Sequence, residues 1–189
     1  GFEGRPDLLE AGAACLPLLG NDAARVRRVR DPRAFFALLD AHGIAHPEVA
    51  FERPDDPRGW LRKDASGCGG WHIRRAAAVD GAPLSTTQYH QRERRGTPMS
   101  ATFVGNGREA LLLGCNEQIV QPVGDRPHVY AGVIGPLAID DTVQAQVRAA
   151  LQALVAAGEL SGLGSLDFLL VDDRVEVLEL NPRPPARRP

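Results

Sequence analysis

The sequence is almost without lysine. Of its 22 basic residues, 21 are arginine, and Lys63 is the only lysine among 189 residues. An ammonium group differs from a guanidinium group in geometry and hydration. Position 63 is therefore the only place where this arginine-rich chain has a compact ammonium group. Lys63 is a candidate for a specific role, against the alternative that its isolation is chance.

Other absences narrow the class of protein. The net charge is −2 and the arginines are scattered, so the continuous basic face that binds a nucleic-acid backbone is missing. No apolar run approaches the ~20 residues of a membrane span, and no basic-then-apolar signal segment opens the sequence. The cysteines are odd in number, far apart and without a CxxC pair, which argues against a disulfide framework or a zinc site. We expect a globular cytoplasmic protein with no nucleic-acid or membrane partner.

The glycine-rich motifs of common nucleotide-binding proteins are also missing. Neither the Walker pattern GxxxxGK[ST] nor GxGxxG occurs. A different glycine-rich stretch, DASGCGG, follows Lys63 directly, and its glycines are Gly67, Gly69 and Gly70. Glycines let backbone N–H groups approach a phosphate closely, and a nearby ammonium adds charge. By itself such a stretch is more often an ordinary loop.

The periodic segments indicate an α+β protein. Asp31 and Pro32 predict the start of a helix that ends near Gly43, and Asp140 or Asp141 caps a second helix that stops at Gly158. Asn21 is a further candidate cap. Strands are predicted in between and after: HPEVAFE, GWLRK, WHIRRAAAV, TTQYHQRERR, the hairpin from ATFV to REALLLGC, HVYAGVIGPL, SLDFLLV and RVEVLEL.

Three polar residues interrupt the last two strands. Glu179 and Asn181 are two apart and share one face, whereas the side on which Asp167 lies depends on the hairpin register. A two-residue turn would place Asp167 opposite Leu178. A three-residue loop over 172–174 would place it opposite Glu179 and would group the apolar residues better.

We expect the register that opposes the two acids. Directly opposed like charges are destabilising, so a cation is expected between them. Mg²⁺ held by carboxylate and amide oxygens is the simplest candidate. Solvated acids at a strand end are the alternative.

Three stretches together resemble the ATP-grasp superfamily, in particular carboxylate-amine ligases of the pyrrolysine-pathway and cofactor-glutamylating type. They are WLRKDASGCGGWHI, YHQRERRGTPMS and SLDFLLVDDRVEVLELNPRP. The resemblance spans roughly residues 20 to 184. It implies an ATP-grasp fold in which two α+β subdomains, with mixed or antiparallel sheets, hold ATP and two Mg²⁺ ions between them. It also implies that ATP phosphorylates a small-molecule carboxylate and that an amine attacks the acyl phosphate.

The same resemblance assigns site residues. The metal ligands would be Asp167, Glu179 and Asn181, and Arg183 would steady the transferring phosphoryl group, a role suited to a planar donor fork. The nucleotide would be bound by Lys63, by the loop residues Ser66, Gly67, Gly69 and Gly70, and by Tyr89, His90 and Gln91 along the adenine. Lys63 and Arg183 would be the catalytic pair.

The chain departs from the family pattern in places. A first nucleotide lysine commonly precedes the helix at residue 31, where this sequence offers Arg30 or Arg33. Acids expected near the adenine hinge are replaced by Arg92 and Pro98, which leaves Glu93 as a candidate for the ribose. An N-terminal domain is expected to be absent, with residues 1–20 as its trailing edge, residues 21–92 as a small subdomain and 93–189 as a C-terminal one.

Two other functions stay open at this stage. The departures favour a degenerate ATP-binding module without turnover, and a plain α+β interaction domain with surface acids is the simplest alternative. Whether the chain is a monomer or a homodimer is open as well.

Overall fold

A computed structural model describes residues 4–79 and 81–185. The helices are α1 (Pro6–Ala13), α2 (Ala23–Arg30), α3 (Pro32–Ala41) and α4 (Asp141–Gly158). The strands are β1 (Val49–Ala50), β2 (Trp60–Asp64), β3 (Arg74–Arg75), β4 (Gln88–Arg92), β5 (Thr97–Asn106), β6 (Ala110–Val123), β7 (Arg126–Leu137), β8 (Ser161–Val171) and β9 (Arg174–Asn181). They form two antiparallel sheets, ordered β1-β4-β2-β3 and β7-β6-β5-β8-β9.

Side-chain caps fix the starts of three helices. The side chains of Asp31 and Asp140 cap α3 and α4 as predicted, by accepting hydrogen bonds from backbone N–H groups of the first turn. The predicted cap Asn21 is wrong, because Asp22 caps α2. The Asn21 amide instead accepts from Ser161 N at 2.8 Å and donates to Pro182 O at 3.2 Å. It therefore ties the segment before α2 to both ends of the β8–β9 hairpin.

The core lies between the five-stranded sheet and the helices. The apolar face of α4 covers one face of that sheet, and α2 and α3 add Val29, Phe35, Phe36 and Leu39 to the same core. Val177 N also donates to Ala45 O at 2.8 Å, so the segment after α3 contacts β9. α2 and α3 thus contribute to the core of the second sheet, although they precede the first sheet in sequence, and Phe36 of α3 also contacts Tyr89 of the first sheet. The predicted subdomain boundaries stay predictions.

The first sheet is less regular than predicted. The strand-like stretch 71–79 contains only the two residues of β3, followed by the short 3₁₀ helix Ala76–Ala78. No helix in residues 4–79 and 81–185 is long and apolar enough to cross a membrane.

The β8–β9 hairpin combines the two registers considered above. Asp172 and Asp173 have φ of 47° and 62°, so the turn has two residues with left-handed backbone, not three. Val171 pairs with Arg174 accordingly. A register shift between Asp167 and Phe168 then leaves Leu178 unpaired as a β-bulge, and Asp167 lies directly opposite Glu179. The predicted pairing of the acids is correct, but the predicted loop and the pairs next to it are wrong.

The turn provides a stability test. Substituting Asp173→Gly should raise the free energy of unfolding by roughly 0.5–1 kcal/mol, because glycine adopts positive φ without the steric cost of a Cβ atom. The carbonyl of residue 173, which accepts from Gln146 Nε2 at 2.8 Å, is kept. Urea denaturation measures the change. The control Arg174→Gly, within β9, should destabilise, and a destabilised Asp173→Gly protein would contradict this account of the turn.

Candidate functional site

Lys63 lies at the centre of a buried polar cluster. In the pairing of β2 with β4, Lys63 is opposite Tyr89 and Leu61 is opposite Gln91, so Lys63, Tyr89 and Gln91 share one face. The Lys63 side chain is only 5% exposed, and its Nζ donates to Gln91 Oε1 at 3.0 Å. His90 points to the other face, with its Nδ1 3.1 Å from Glu52 O. The structure therefore brings Tyr89 and Gln91 to Lys63 but does not bring His90.

The acids of the last hairpin converge as predicted. Asp167 and Glu179 are cross-strand partners, and the Asn181 amide nitrogen donates to Asp167 Oδ2 at 3.2 Å and to Glu179 Oε1 at 3.3 Å. Asn181 is 6% exposed. One amide thus bridges two carboxylates that would otherwise repel each other.

Arg30 is the basic residue that joins this cluster from the helical region. It lies in the last turn of α2, and its Nη1 is 3.8 Å from Glu179 Oε2. Its Nη2 donates to Gly67 O at 3.1 Å and to Ala65 O. Of the two arginines considered from the sequence, Arg33 instead lies over the Phe51 ring at 4.3 Å.

The two opposed carboxylates differ in their pKa values. Burial, followed by the charge of Glu179, raises the pKa of Asp167 to about 8. Burial acts in the same direction on Glu179, but the nearby charges of Arg30, Lys63 and His72 outweigh it and hold the pKa of Glu179 below its usual range. These opposite shifts favour a state in which the pair holds one proton, on the Asp167 carboxyl, while Glu179 stays ionised.

Unpartnered polar atoms surround the same place. Among the described residues, four buried side-chain nitrogen or oxygen atoms have no hydrogen-bond partner, and three of them are Arg30 Nε, His72 Nδ1 and Gln91 Nε2. Buried polar groups in proteins are nearly always hydrogen-bonded, so a group of exceptions in one place indicates a site for a polar ligand.

The glycine-rich loop lies against the second sheet. Gly69 and Gly70 have φ of 63° and 78°. A Cβ atom on Gly70 would lie 1.8 Å from His128 O, and one on Gly67 would lie 2.3 Å from His72 Cβ. Glycine is therefore required at residues 67 and 70 by close approach, and at 70 by backbone conformation as well.

Asp64 fixes the start of this loop, a role that the sequence analysis missed. Its Oδ1 accepts from Ser66 N at 2.9 Å and from Ser66 Oγ at 2.6 Å, and its carbonyl accepts from Gly67 N at 3.0 Å. An aspartate two residues before a serine is a common local turn signal, which could have revealed it. Ser66 and Gly67 thus direct their N–H groups to Asp64 in this conformation.

Arg183 follows β9 next to the acids. Its Nη1 donates to Pro184 O at 3.3 Å, and its charge favours ionised Asp167, which partly opposes the rise in pKa. Its role at a phosphoryl group stays a prediction, as do the nucleotide contacts assigned to the loop and to β4.

The donor set fits a hard divalent cation. Within the described residues no three His, Cys, Asp or Glu side chains form a metal site. Two carboxylates and an amide do converge here, and Mg²⁺ in nucleotide sites is held by one or two carboxylates together with substrate phosphates. The Asn181 amide could present its oxygen to a cation by rotating, because its nitrogen now occupies the position between the acids.

The fold and this site define a known family. The sequence model of the ATP-grasp domain matches residues 29–187, and the chain belongs to that family. No curated protein matches it.

Solved structures share the fold at low identity. An ATP-grasp superfamily protein from Archaeoglobus fulgidus has a TM-score of 0.67 and 20% identity, over 94% of this chain and 53% of that one. The D-Ala:D-Ser ligase of Enterococcus faecalis has a TM-score of 0.72 and 16% identity, over 95% and 60%. A biotin carboxylase from Campylobacter jejuni has a TM-score of 0.73 and 15% identity, over 96% of this chain and 47% of that one. The chain thus spans about half the length of these proteins.

The raised pKa of Asp167 leads to a prediction about the stability of the protein. An unfolded aspartate loses its proton near pH 4, whereas folded Asp167 keeps it to about pH 8, so this residue lowers the free energy of unfolding as the pH rises between these values. Asp167→Asn removes that dependence. We expect the variant to be more stable by roughly 1–3 kcal/mol at pH 8 and by less at pH 5.

Urea denaturation at both pH values measures the effect. The control is Asp172→Asn in the exposed turn, which replaces an acid outside the Asp167–Glu179 pair. Equal stabilisation of Asp167→Asn at both pH values, or a loss of stability at pH 8, would contradict the assignment of the proton.

The close contact of Gly70 with His128 leads to a second prediction, about how firmly the loop is held on β7. Gly70→Ala should displace the loop from β7, because the new Cβ atom would overlap His128 O. Gly69→Ala is the matched control: its φ is also positive, but its Cβ atom would contact only Trp71 Cδ1, at 3.6 Å. Limited trypsin digestion after Arg74 and Arg75 should be faster in Gly70→Ala than in Gly69→Ala. Equal rates would show that the close approach does not hold the loop.

Proposed function

We propose that the protein is an ATP-dependent carboxylate-amine ligase that forms an amide bond through an acyl phosphate. The observation that carries the proposal is the convergence of Asp167, Glu179 and Asn181 on one site that also receives the charges of Lys63 and Arg30. Opposed acids facing buried cations, with unpartnered polar groups around them, suit a metal-bound polyphosphate better than a structural ion pair.

The residues divide the chemistry among them. A carboxylate oxygen of the substrate attacks the γ-phosphorus of ATP, the bond to the β–γ bridging oxygen breaks, and ADP leaves. The amine then attacks the acyl carbon and phosphate leaves. Lys63 and the loop Ser66–Gly70 hold the phosphates. Mg²⁺ would be held by Asp167, Glu179 and Asn181. Arg183 binds the phosphoryl group that is transferred. Phosphoryl transfer depends on such positioning and on charge neutralisation, which Mg²⁺ supplies when bound.

Small-molecule carboxylates and amines are the proposed partners, in the cytoplasm. A glutamate-type donor is part of the proposal and rests only on the resemblance to cofactor-glutamylating ligases. These assignments are proposals, since the chain spans only about half the length of the solved structures that it resembles.

A second candidate is an ATP-binding module without turnover. It is favoured by the hinge, where Arg92 lies over the Trp60 ring at 4.8 Å in place of an expected acid. Both candidates require ATP to bind, and they differ only in whether a carboxylate is activated.

Lys63→Gln tests ATP binding. Hydrogen bonds to charged groups contribute about 1.5–3 kcal/mol, so the Kd for Mg-ATP should rise by roughly 10- to 100-fold. Calorimetry measures it. Arg62→Gln is the matched control, because Arg62 is the adjacent residue on β2 and faces away to donate to Gln88 Oε1 at 2.7 Å. Equal losses in the two variants would contradict the role of Lys63.

Turnover is tested with hydroxylamine as the amine. The native protein, given Mg-ATP and one carboxylate at a time, should form a hydroxamate and release ADP and phosphate in equal amounts. Binding of Mg-ATP without hydroxamate from any amino acid or dicarboxylate would favour the module without turnover.

A further inference from the structure

The glycine-rich loop lies where the two sheets meet edge to edge. β3 is the edge strand of the first sheet and β7 is the edge strand of the second. Tyr130 N on β7 donates to Gly69 O at 3.1 Å, and the neighbouring His128 carbonyl packs against Gly70. An edge strand carries unpaired backbone N–H and C=O groups. The loop uses one of them on β7 as its docking point.

Glu93 links the parts of this junction. It lies in the connection between β4 and β5, and its Oε1 is 3.1 Å from His128 Nε2 on β7 and 3.5 Å from Arg75 Nη2 on β3. β3 follows the loop directly in sequence. One carboxylate therefore joins the strand after the loop to the strand on which the loop docks.

We propose that Glu93 is a positioning residue, and that Arg75, Glu93 and His128 form a latch that holds the loop Ser66–Gly70 closed on β7. The inference rests on the proposed function, because the loop is the one assigned to the ATP phosphates. It also replaces the ribose role considered for Glu93 from the sequence. In this structure its carboxylate lies between Arg75 and His128 and is 27% exposed.

The strength of the latch suits a loop that must open in each cycle. Ion pairs of partly exposed side chains contribute little individually, and a backbone hydrogen bond contributes a similar amount. Contacts of this size bias a loop towards closure without trapping product, and loop opening often limits turnover. Loss of the Glu93 charge should shift the closure equilibrium by about three- to tenfold, as expected for the loss of contacts of this strength.

Amide hydrogen exchange at Tyr130 reports the docking directly, because its N–H loses its acceptor when the loop opens. In nucleotide-free protein, Glu93→Gln should accelerate exchange at Tyr130 by about three- to tenfold. The amide of Val177, which donates to Ala45 O at 2.8 Å, is a second tertiary backbone bond far from the latch and should not change. Equal acceleration at both amides would indicate general loosening and would overturn the proposal, as would unchanged exchange at Tyr130.

A double-mutant cycle assigns the effect to the pair. Arg75→Gln should accelerate exchange no more than Glu93→Gln, which also removes the contact with His128. The double variant should match Glu93→Gln alone, because Arg75 has then already lost its partner. Arg58→Gln is the control, since Arg58 pairs with Asp56 at 2.9 Å in the connection between β1 and β2, outside the latch. Additive effects of the two latch substitutions would contradict a shared contact.

Nucleotide affinity separates the latch from ribose binding. Glu93→Gln should raise the Kd for Mg-ATP and for Mg-2′-deoxy-ATP by the same factor, in parallel with Tyr130 exchange. Weakening of ATP alone would show that Glu93 binds the ribose and would overturn the latch. If the native protein binds no Mg-ATP, the proposed function fails. Exchange at Tyr130 without nucleotide still shows independently whether Glu93 holds the loop.

Discussion

The opposition of Asp167 and Glu179 across β8 and β9 is the constraint on which the rest of the site depends. Two carboxylates in direct register repel each other, and the hairpin reaches this register only through a bulge at Leu178. The fold compensates in three ways: a proton on Asp167, the bridging amide of Asn181, and the cations Arg30 and Lys63 beside Glu179. The opposed acids lower the stability of the free protein. A role in binding a cation, which would take the place of the proton on Asp167, explains why the fold contains them.

The compensating charges come from separate parts of the chain. Arg30 ends α2, Lys63 lies on the first sheet, and the acids lie on the second. The site therefore exists only when both sheets and the helical region are assembled. The hydrogen bond from Tyr130 N to Gly69 O and the contacts of Glu93 with Arg75 and His128 join the two sheets where the loop docks on β7. Close approach of neighbouring groups also explains why glycine is needed at residues 67 and 70.

The sequence predicted the strongest elements and the central pair because these depend on local patterns. Proline and aspartate mark the helix starts, and the apolar grouping in β8 and β9 correctly favoured opposing the acids. It did not reveal the compensating turn and bulge, since each shifts the register by one residue and their effects cancel at Asp167. The contacts of Arg30 and the orientation of His90 depend on tertiary packing or on strand pairing, which periodicity alone does not determine. The Asp64 turn is local, and the aspartate two residues before Ser66 could have indicated it. The fold was thus predicted from the sequence, as was the proximity of Asn181 to the two acids and of Tyr89 and Gln91 to Lys63. The roles of these residues stay predictions.

The central claim is that Asp167, Glu179 and Asn181 bind a divalent cation together with ATP. Paramagnetic broadening by Mn²⁺, used in place of Mg²⁺, tests it most directly. The account predicts that the side-chain amide signals of Asn181 broaden at Mn²⁺ concentrations well below the protein concentration when ATP is present, and far less without ATP. The signals of Asn106, the last residue of β5, should stay sharp. Unbroadened Asn181 signals in the presence of Mn²⁺ and bound ATP would contradict the account.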